Sequence, residues 1–284
     1  MLSRPDVQRL LDEHGLAPSR ALGQNFVVDP NTVRRIARLA GIEPGDRVVE
    51  IGAGLGSLTL ALAEAGAEVT AVEIDRRLIP VLGQVLAPVA GHVEVVEGDA
   101  LTIDWPALLG NATGLTLVAN LPYNVATPVV LRVLEEAPQI DHLVVMVQRE
   151  VAERLAAGAG DDAYGAVSVR IAYFARASLV ARVPPTVFVP RPKVDSALVE
   201  IRRRPAPAVD PTVVSYRDLV RVVRAGFAQR RKMLRRSLAG VVAPEAFAAS
   251  GVAPSARAEE LDVEAWGRLA AGSPPEGPEG EASS

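Results

Sequence analysis

The sequence predicts an α/β fold: a doubly wound, mostly parallel sheet, followed by a small all-helical domain. Three observations carry that prediction. Short apolar runs rich in β-branched residues alternate with helical patterns between about positions 47 and 174, the rhythm of a sheet covered on both faces. Gly52, Gly54 and Gly56 follow the first of these runs directly, where backbone must turn sharply or pass close to a ligand. Beyond Pro205, Pro207 and Pro211, which mark a linker, the apolar spacing is helical throughout.

Each element follows from its residues in turn. Pro5 to His14 reads as a short amphipathic helix, and 17–30 as an irregular lead-in. Asp29-Pro30-Asn31 caps a helix that reaches about Ala40. Val48, Val49 and Ile51 form the first strand, a helix begins near Ser57, and Val69 to Val72 returns as the neighbouring strand, ending at Glu73. A helix over Leu78 to Leu86 and a strand over His92 to Val96 follow, closed by Glu97-Gly98-Asp99-Ala100. The strand Leu115 to Ala119 runs directly into Asn120-Leu121-Pro122-Tyr123-Asn124. A helix from Thr127 to Glu135 leads to the strand His142 to Val147, whose unbroken apolar run suits a fully buried position. Helices are expected over 150–157 and 166–174, on either side of a mobile loop at 158–165. Strands over 179–183 and 196–202 bracket a proline-rich loop. Residues 1–203 are thus expected to form the sheet domain. Residues 204–271 form the helical one, with helices over 215–227, 232–238, 244–249 and 263–271, and 272–284 is expected to be a disordered tail.

Composition narrows the function classes. With no cysteine there is neither a disulfide framework nor a thiolate nucleophile, and three histidines make a histidine metal centre improbable. A metal-independent cytosolic protein is expected: no run reaches eighteen apolar residues, and the first residues lack the layout of a signal peptide. The net charge of -4 argues against a uniformly basic nucleic-acid binder. Charge is nevertheless segregated, since residues 202–236 hold eleven Lys or Arg against two acids. Within them Arg221, Arg224, Arg230, Arg231, Lys232, Arg235 and Arg236 are candidate RNA phosphate contacts. A solvated helix surface is the alternative reading of the same residues.

The glycine spacing discriminates between cofactors. A dinucleotide fingerprint G-x-G-x-x-G requires a third glycine at position 57, where this chain has Ser57. G-x-G-x-G preceded by Glu50 is instead the pattern of class I S-adenosylmethionine (SAM) methyltransferases, whose cofactor has no pyrophosphate to cradle. Glu73, about twenty residues on, stands where an acid accepts both ribose hydroxyls. Asp99, at the end of the third strand, can accept from the adenine amine of the cofactor, although Gly-Asp there also makes an ordinary turn.

Asn120-Leu121-Pro122-Tyr123 is the sharper signal. The exocyclic amine of adenine is a poor nucleophile because its lone pair is delocalised into the ring. Two acceptors aimed at its N–H bonds, the Asn120 side-chain oxygen and the Leu121 carbonyl, would favour a pyramidal nitrogen that can attack. Pro122 fixes the turn, and Tyr123 offers a face on which a flipped base can stack. Gly23-Gln24-Asn25-Phe26, with the loop holding Phe188, could close over the cofactor and clamp the base from its second face. Phe26 and Phe188 read equally well as core anchors.

Taken together, L-G-Q-N-F, E-I-G-A-G-L-G, E-I-D, G-D-A, N-L-P-Y-N, V-Q-R-E-V-A-E-R, F-V-P-R-P-K-V-D-S and F-A-Q-R-R-K-M-L-R-R-S-L resemble, in order and context, the bacterial small-subunit rRNA adenine N6,N6-dimethyltransferases, over roughly residues 18–240. The resemblance implies a SAM-dependent enzyme that dimethylates two adjacent adenines in the loop of the 3′-terminal hairpin of 16S rRNA, acting on a pre-30S particle; a monomer is expected, although the sequence does not fix the oligomeric state. It implies cofactor contacts at Asn25, Val27, Gly52, Gly54, Glu73, Asp99 and Asn120, and target-base contacts at Asn120, Leu121, Pro122, Tyr123 and Phe188. Val27 stands where leucine is expected. Related 23S rRNA enzymes share the sheet, and mitochondrial transcription-factor relatives keep the fold as a binding module. Intact Gly52, Glu73, Asp99 and Asn120 favour the enzyme.

Overall fold

A computed structural model describes residues 1–273; the expected tail falls almost wholly outside them. The chain divides into two compact units, one of residues 1–153 and 177–203, the other of 154–176 and the segment from 204 onward. That differs from the single boundary expected at 203. Tyr164, Val169 and Tyr173 lie in the apolar core of the helical unit, and the Tyr164 hydroxyl donates to the Leu261 carbonyl at 2.8 Å. The apolar period of 166–174 announces a buried helix without saying in which core it is buried.

In the first unit, β1 (Phe26–Val27), β2 (Arg47–Ile51), β3 (Glu68–Glu73), β4 (Val93–Glu97), β5 (Leu115–Asn120) and β6 (Ile140–Gln148) alternate with helices. These are α1 (Arg4–Glu13), α2 (Pro30–Leu39), α3 (Ser57–Glu64), α4 (Ile79–Leu86), α5 (Trp105–Leu109) and α6 (Ala126–Glu136). α7 (Arg149–Ala156), α8 (Ala166–Phe174), β7 (Ala175–Val183), β8 (Phe188–Val189) and β9 (Ser196–Arg203) follow. Among the described residues the main sheet has the order β4-β3-β2-β5-β6-β9-β7. The pairs from β4 to β6 are parallel, and β9 runs antiparallel to β6. From β2 the chain winds outward through β3 to β4, then returns to β5 on the other side of β2. The order reverses between β2 and β5, so the crevice lies beyond their carboxyl ends, at Gly52 and Leu121.

The sheet is held by burial on both faces. Val48, Val49, Leu117, Val118, Val144 and Val145 are each at most 2% exposed, and each such side chain stabilises the fold by roughly 1.5–3 kcal/mol. α2 and α3 contribute Val33, Ile36, Leu58 and Leu62 to the same core. The Asp29 carboxylate accepts from the Thr32 amide at 3.0 Å and so caps α2, an interaction that stabilises by about 1 kcal/mol.

Two further features were not legible beforehand. β1 and β8 pair antiparallel, with Phe26 opposite Val189 and Val27 opposite Phe188, so the lead-in is stitched to the proline-rich loop. Asp104 caps a short helix, α5, by accepting from the Ala107 amide at 2.9 Å.

The helical unit consists of α8, α9 (Tyr216–Ala228), α10 (Leu234–Ser237), α11 (Pro244–Ser250) and α12 (Val263–Ala271). Trp266 is fully buried at its centre. Gly226 is required beside it, since a Cβ there would collide with the indole ring. The basic stretch departs from expectation: the helix predicted over 232–238 spans only Leu234–Ser237, and 229–232 is a turn closed by the Lys232 amide on the Gln229 carbonyl at 2.8 Å. Like charges four residues apart, Arg231 with Arg235 and Lys232 with Arg236, disfavour a continuous helix.

Candidate active site and nucleic-acid interface

The crevice at the switch point is lined by the lead-in from Leu22 to Val27, the glycine turn, Glu73, Ile74 and Asn120 to Tyr123. An adjoining apolar pocket reaches Asp99, Ala100 and Leu101 and shares Leu22, Gly52, Ile74 and Pro122 with the first, so the two form one elongated cleft. The structure therefore brings Asn25, Val27, Gly52, Gly54, Glu73, Asp99, Asn120, Leu121, Pro122 and Tyr123 around one space. Phe188 is the exception. It is fully buried, belongs to the sheet core and does not line the cleft. It pairs with Val27 across β1 and β8, so here it serves as a core anchor, and its contact with a target base stays a proposal. Phe26, the other aromatic of that pair of motifs, is the one on the cleft wall; its ring lies 3.2 Å from where a Cβ on Gly54 would stand.

The cleft is polar where chemistry needs it and fixed where polar groups would otherwise wander. Gly54 has φ +60°, and its amide donates to Glu73 Oε2 at 2.7 Å, while the Asp75 amide donates to Oε1 at 2.8 Å. A carboxylate offers about four lone-pair sites, so Glu73 keeps acceptor capacity after both bonds. Burial raises its pKa, against the opposing effect of these amides. Glu50, completely buried beneath the glycine turn, differs. Its Oε2 has no hydrogen-bond partner among the described residues. Burial, opposed by the Thr59 hydroxyl and reinforced by the Glu73 charge, pushes its carboxyl up to about 8. At neutral pH the floor of the cleft thus presents a protonated acid beside an acceptor.

The lead-in decides how Asn120 is oriented. Asn120 Nδ2 donates to the Asn25 carbonyl at 3.0 Å. Because a carbonyl only accepts, the amide can present only its NH2 to Asn25, and its Oδ1 is left as an acceptor with no donor among the described residues. Asn25 Nδ2 in turn donates to the Gly23 carbonyl at 3.0 Å. Gln24 accepts from the Ser19 amide at 2.7 Å and donates to Asp75 Oδ2 at 2.9 Å. The Arg77 guanidinium, aided by Gln24, holds the Asp75 carboxyl down to about 2. The loop is therefore tied both to Asp75 beyond β3 and to Asn120 at the end of β5. Sequence reasoning placed it over the cofactor but missed these anchors; the Gln-Asn pair inside a glycine-bounded loop was the available signal.

In the helical unit the candidate phosphate contacts divide. Arg221 lies 3.5 Å from Asp218 and is only partly exposed. Arg230 donates to Glu259 at 3.1 Å and to the Asp162 carbonyl at 2.8 Å. These two are already engaged within the unit. Arg224, Arg231, Lys232, Arg235 and Arg236 are exposed.

Among the described residues no helix is long and apolar enough to cross a membrane, and no cluster of three or more His, Cys, Asp or Glu could hold a metal. The sequence profile of the family described as ribosomal RNA adenine dimethylase matches residues 18–271. Ribosomal RNA small subunit methyltransferase A of Thermobifida fusca (strain YX) is 50% identical over 279 residues, which cover 95% of each chain. The protein of that name from Cutibacterium acnes is 48% identical over 93% of this chain and 91% of its own. Among solved structures, a dimethyladenosine transferase from Plasmodium falciparum superposes with a TM-score of 0.73 at 23% identity, covering 86% of this chain and 95% of its own, a likeness of fold. The 23S rRNA methyltransferase ErmE gives 0.68 at 29% identity, over 86% and 98%. With a class I methyltransferase sheet, a cleft at its switch point and the profile match spanning nearly all of both units, the chain belongs to the ribosomal RNA adenine dimethylase family.

Proposed function

We propose that this protein transfers methyl groups from SAM to N6 of two adjacent adenines in the 3′-terminal hairpin loop of 16S rRNA, dimethylating each, during small-subunit biogenesis. The single observation that carries the chemistry is the Asn120 amide on the cleft wall, whose NH2 is engaged by the Asn25 carbonyl so that its oxygen is left free to accept. The small-subunit enzymes at 48–50% identity support the choice of RNA over the 23S alternative, whose example here is 29% identical.

The residues fit the cofactor. Glu73 retains acceptor sites for ribose hydroxyls, Ile74, 44% exposed, offers an apolar face beside the pocket that ends at Asp99, and the orphaned Glu50 Oε2 marks a polar floor in want of a partner. SAM, when bound, supplies an electrophilic sulfonium methyl. Asn120 Oδ1 and the Leu121 carbonyl accept from the target amine and favour its pyramidal form, while Tyr123 supports the flipped base. No strong general base is needed, because the proton can leave after transfer; positioning does most of the work. After one methyl a single N–H remains, so one acceptor idles during the second transfer. The exposed cations of α9, α10 and the turn between them hold rRNA phosphate without reading sequence. The protein acts as a cytoplasmic monomer on a pre-30S particle.

The test is calorimetric binding of SAM together with transfer of labelled methyl to unmethylated small-subunit and large-subunit particles. Saturable SAM binding and label confined to small-subunit rRNA are expected. SAM binding without transfer would make the chain a binding module, and label in 23S rRNA would move it to the other branch.

A further inference from the structure

Tyr123 is held by a residue from the far side of the sheet. Its hydroxyl lies 2.8 Å from Ser196 Oγ. Ser196 is fully buried, opens β9 and pairs in register with Gln148 at the carboxyl end of β6. The tyrosine itself follows β5, the other neighbour of β6, whose Met146 carbonyl accepts from the Leu121 amide at 3.1 Å. The turn carrying Tyr123 is thus fixed at its backbone by β6 and at its ring tip by β9. Burial raises the Tyr123 phenol pKa, so the hydroxyl stays protonated and either partner can donate.

This contact is placed where only geometry can be its purpose. A tyrosine whose ring serves merely as an apolar face has no need of its hydroxyl; phenylalanine would provide the same face. Ser196, conversely, occupies a strand position surrounded by Ala197, Leu198 and Val199, all at most 1% exposed, where a hydroxyl without a partner costs the desolvation of that group. Each hydroxyl is explained by the other. The hydroxyl oxygen lies on the χ2 axis, so the bond to Ser196 fixes χ1 directly, and the preference of a phenolic O–H for the plane of its ring extends the constraint to the plane on which a base can lie.

We propose that Ser196 is a positioning residue for methyl transfer, which fixes the Tyr123 ring at the angle that receives the flipped adenine. The inference rests on the proposed function and specifies which side chain sets the stacking plane. It bears most on the second methylation. A monomethylated amine offers one N–H instead of two to Asn120 and Leu121, so retention of the base depends more heavily on the ring.

The test compares Ser196→Ala, Tyr123→Phe and the double variant in single-turnover transfer at saturating SAM and particle, with N6-methyl and N6,N6-dimethyladenosine quantified separately. Each single variant should slow transfer by about twofold to tenfold, the range of one lost hydrogen bond. The double variant should be no slower than either, and monomethyl product should accumulate in all three. SAM affinity should be unchanged. Tyr123→Phe keeps the test valid should Ser196→Ala fold poorly, because it removes the same bond without touching the sheet. Multiplicative losses in the double variant, or wild-type product ratios in Tyr123→Phe, would overturn the assignment while leaving the methyltransferase reading intact. Loss of transfer in the wild-type protein would instead overturn the reading beneath it.

Discussion

The two units use polar side chains in opposite ways. In the sheet unit, the groups around the cleft are committed to one another before any substrate arrives: Asn120 to Asn25, Tyr123 to Ser196, Glu73 to Gly54 and Gln24 to Asp75. In the helical unit, Arg221 and Arg230 are engaged by acids, but Arg224, Arg231, Lys232, Arg235 and Arg236 are left in solvent. The difference follows from the two tasks. An acceptor that must reshape an amine has to be held to within a fraction of an ångström, whereas a phosphate backbone is gripped by charge that tolerates movement.

The contrast is broken most severely at Asn120. Asn120→Ala removes an acceptor required only as the amine reacts, so single-turnover transfer should fall by roughly 10²–10³-fold, the scale of losing one preorganised hydrogen-bonding group at a reacting centre. RNA binding, measured by filter retention of the particle, should remain near the wild-type value.

Glu73 sharpens the same comparison from the cofactor side. Glu73→Ala leaves the Gly54 and Asp75 amides and the ribose hydroxyls without their acceptor, and SAM binding should weaken by about 1–3 kcal/mol. Titration calorimetry reads this directly, and unchanged affinity would remove Glu73 from the site.

An effect on stability rather than on reaction or binding comes from Glu50, whose folded pKa of about 8 lies above its unfolded value near 4.5. Protonated in both states below pH 4.5, it adds no pH dependence there. Between about pH 5 and 8 the unfolded chain has lost a proton that the folded chain keeps, so this group lowers stability with rising pH by up to roughly 1.4 kcal/mol per unit. Glu50→Gln should therefore flatten the decline of the urea midpoint between pH 5 and 8. Parallel pH profiles for the two proteins would show that Glu50 is ionised in the folded state.

What the sequence revealed tracks how local each constraint is. The glycine turn, the strand-ending Asn-Leu-Pro-Tyr and the acid at Glu73 are each fixed within a few residues of the strand that presents them, and each stands in the cleft as expected. Phe188 was ambiguous because its direction depends on pairing with Val27, more than 150 residues away. Ser196 ended a quoted motif without a role, since its partner is set by the adjacency of β5, β6 and β9. The basic stretch departs for a different reason: its composition favours a helix over 232–238, but like charges four residues apart, Arg231 with Arg235 and Lys232 with Arg236, oppose it, and the helix spans only Leu234–Ser237.

The division of labour is tested most directly by measuring transfer rate and particle affinity for Asn120→Ala and for the triple reversal Arg231→Glu, Lys232→Glu, Arg235→Glu, across a range of salt concentrations. The reversal should weaken particle binding and reduce its logarithmic salt slope by about one unit per lost phosphate contact, with SAM affinity unchanged and transfer restored once the particle is saturating. Asn120→Ala should lose transfer even at saturation and keep the wild-type salt slope. If the reversal leaves binding and its salt dependence untouched, or if saturating particle fails to restore its transfer, the helical unit does not hold the RNA and the separation of holding from chemistry is wrong.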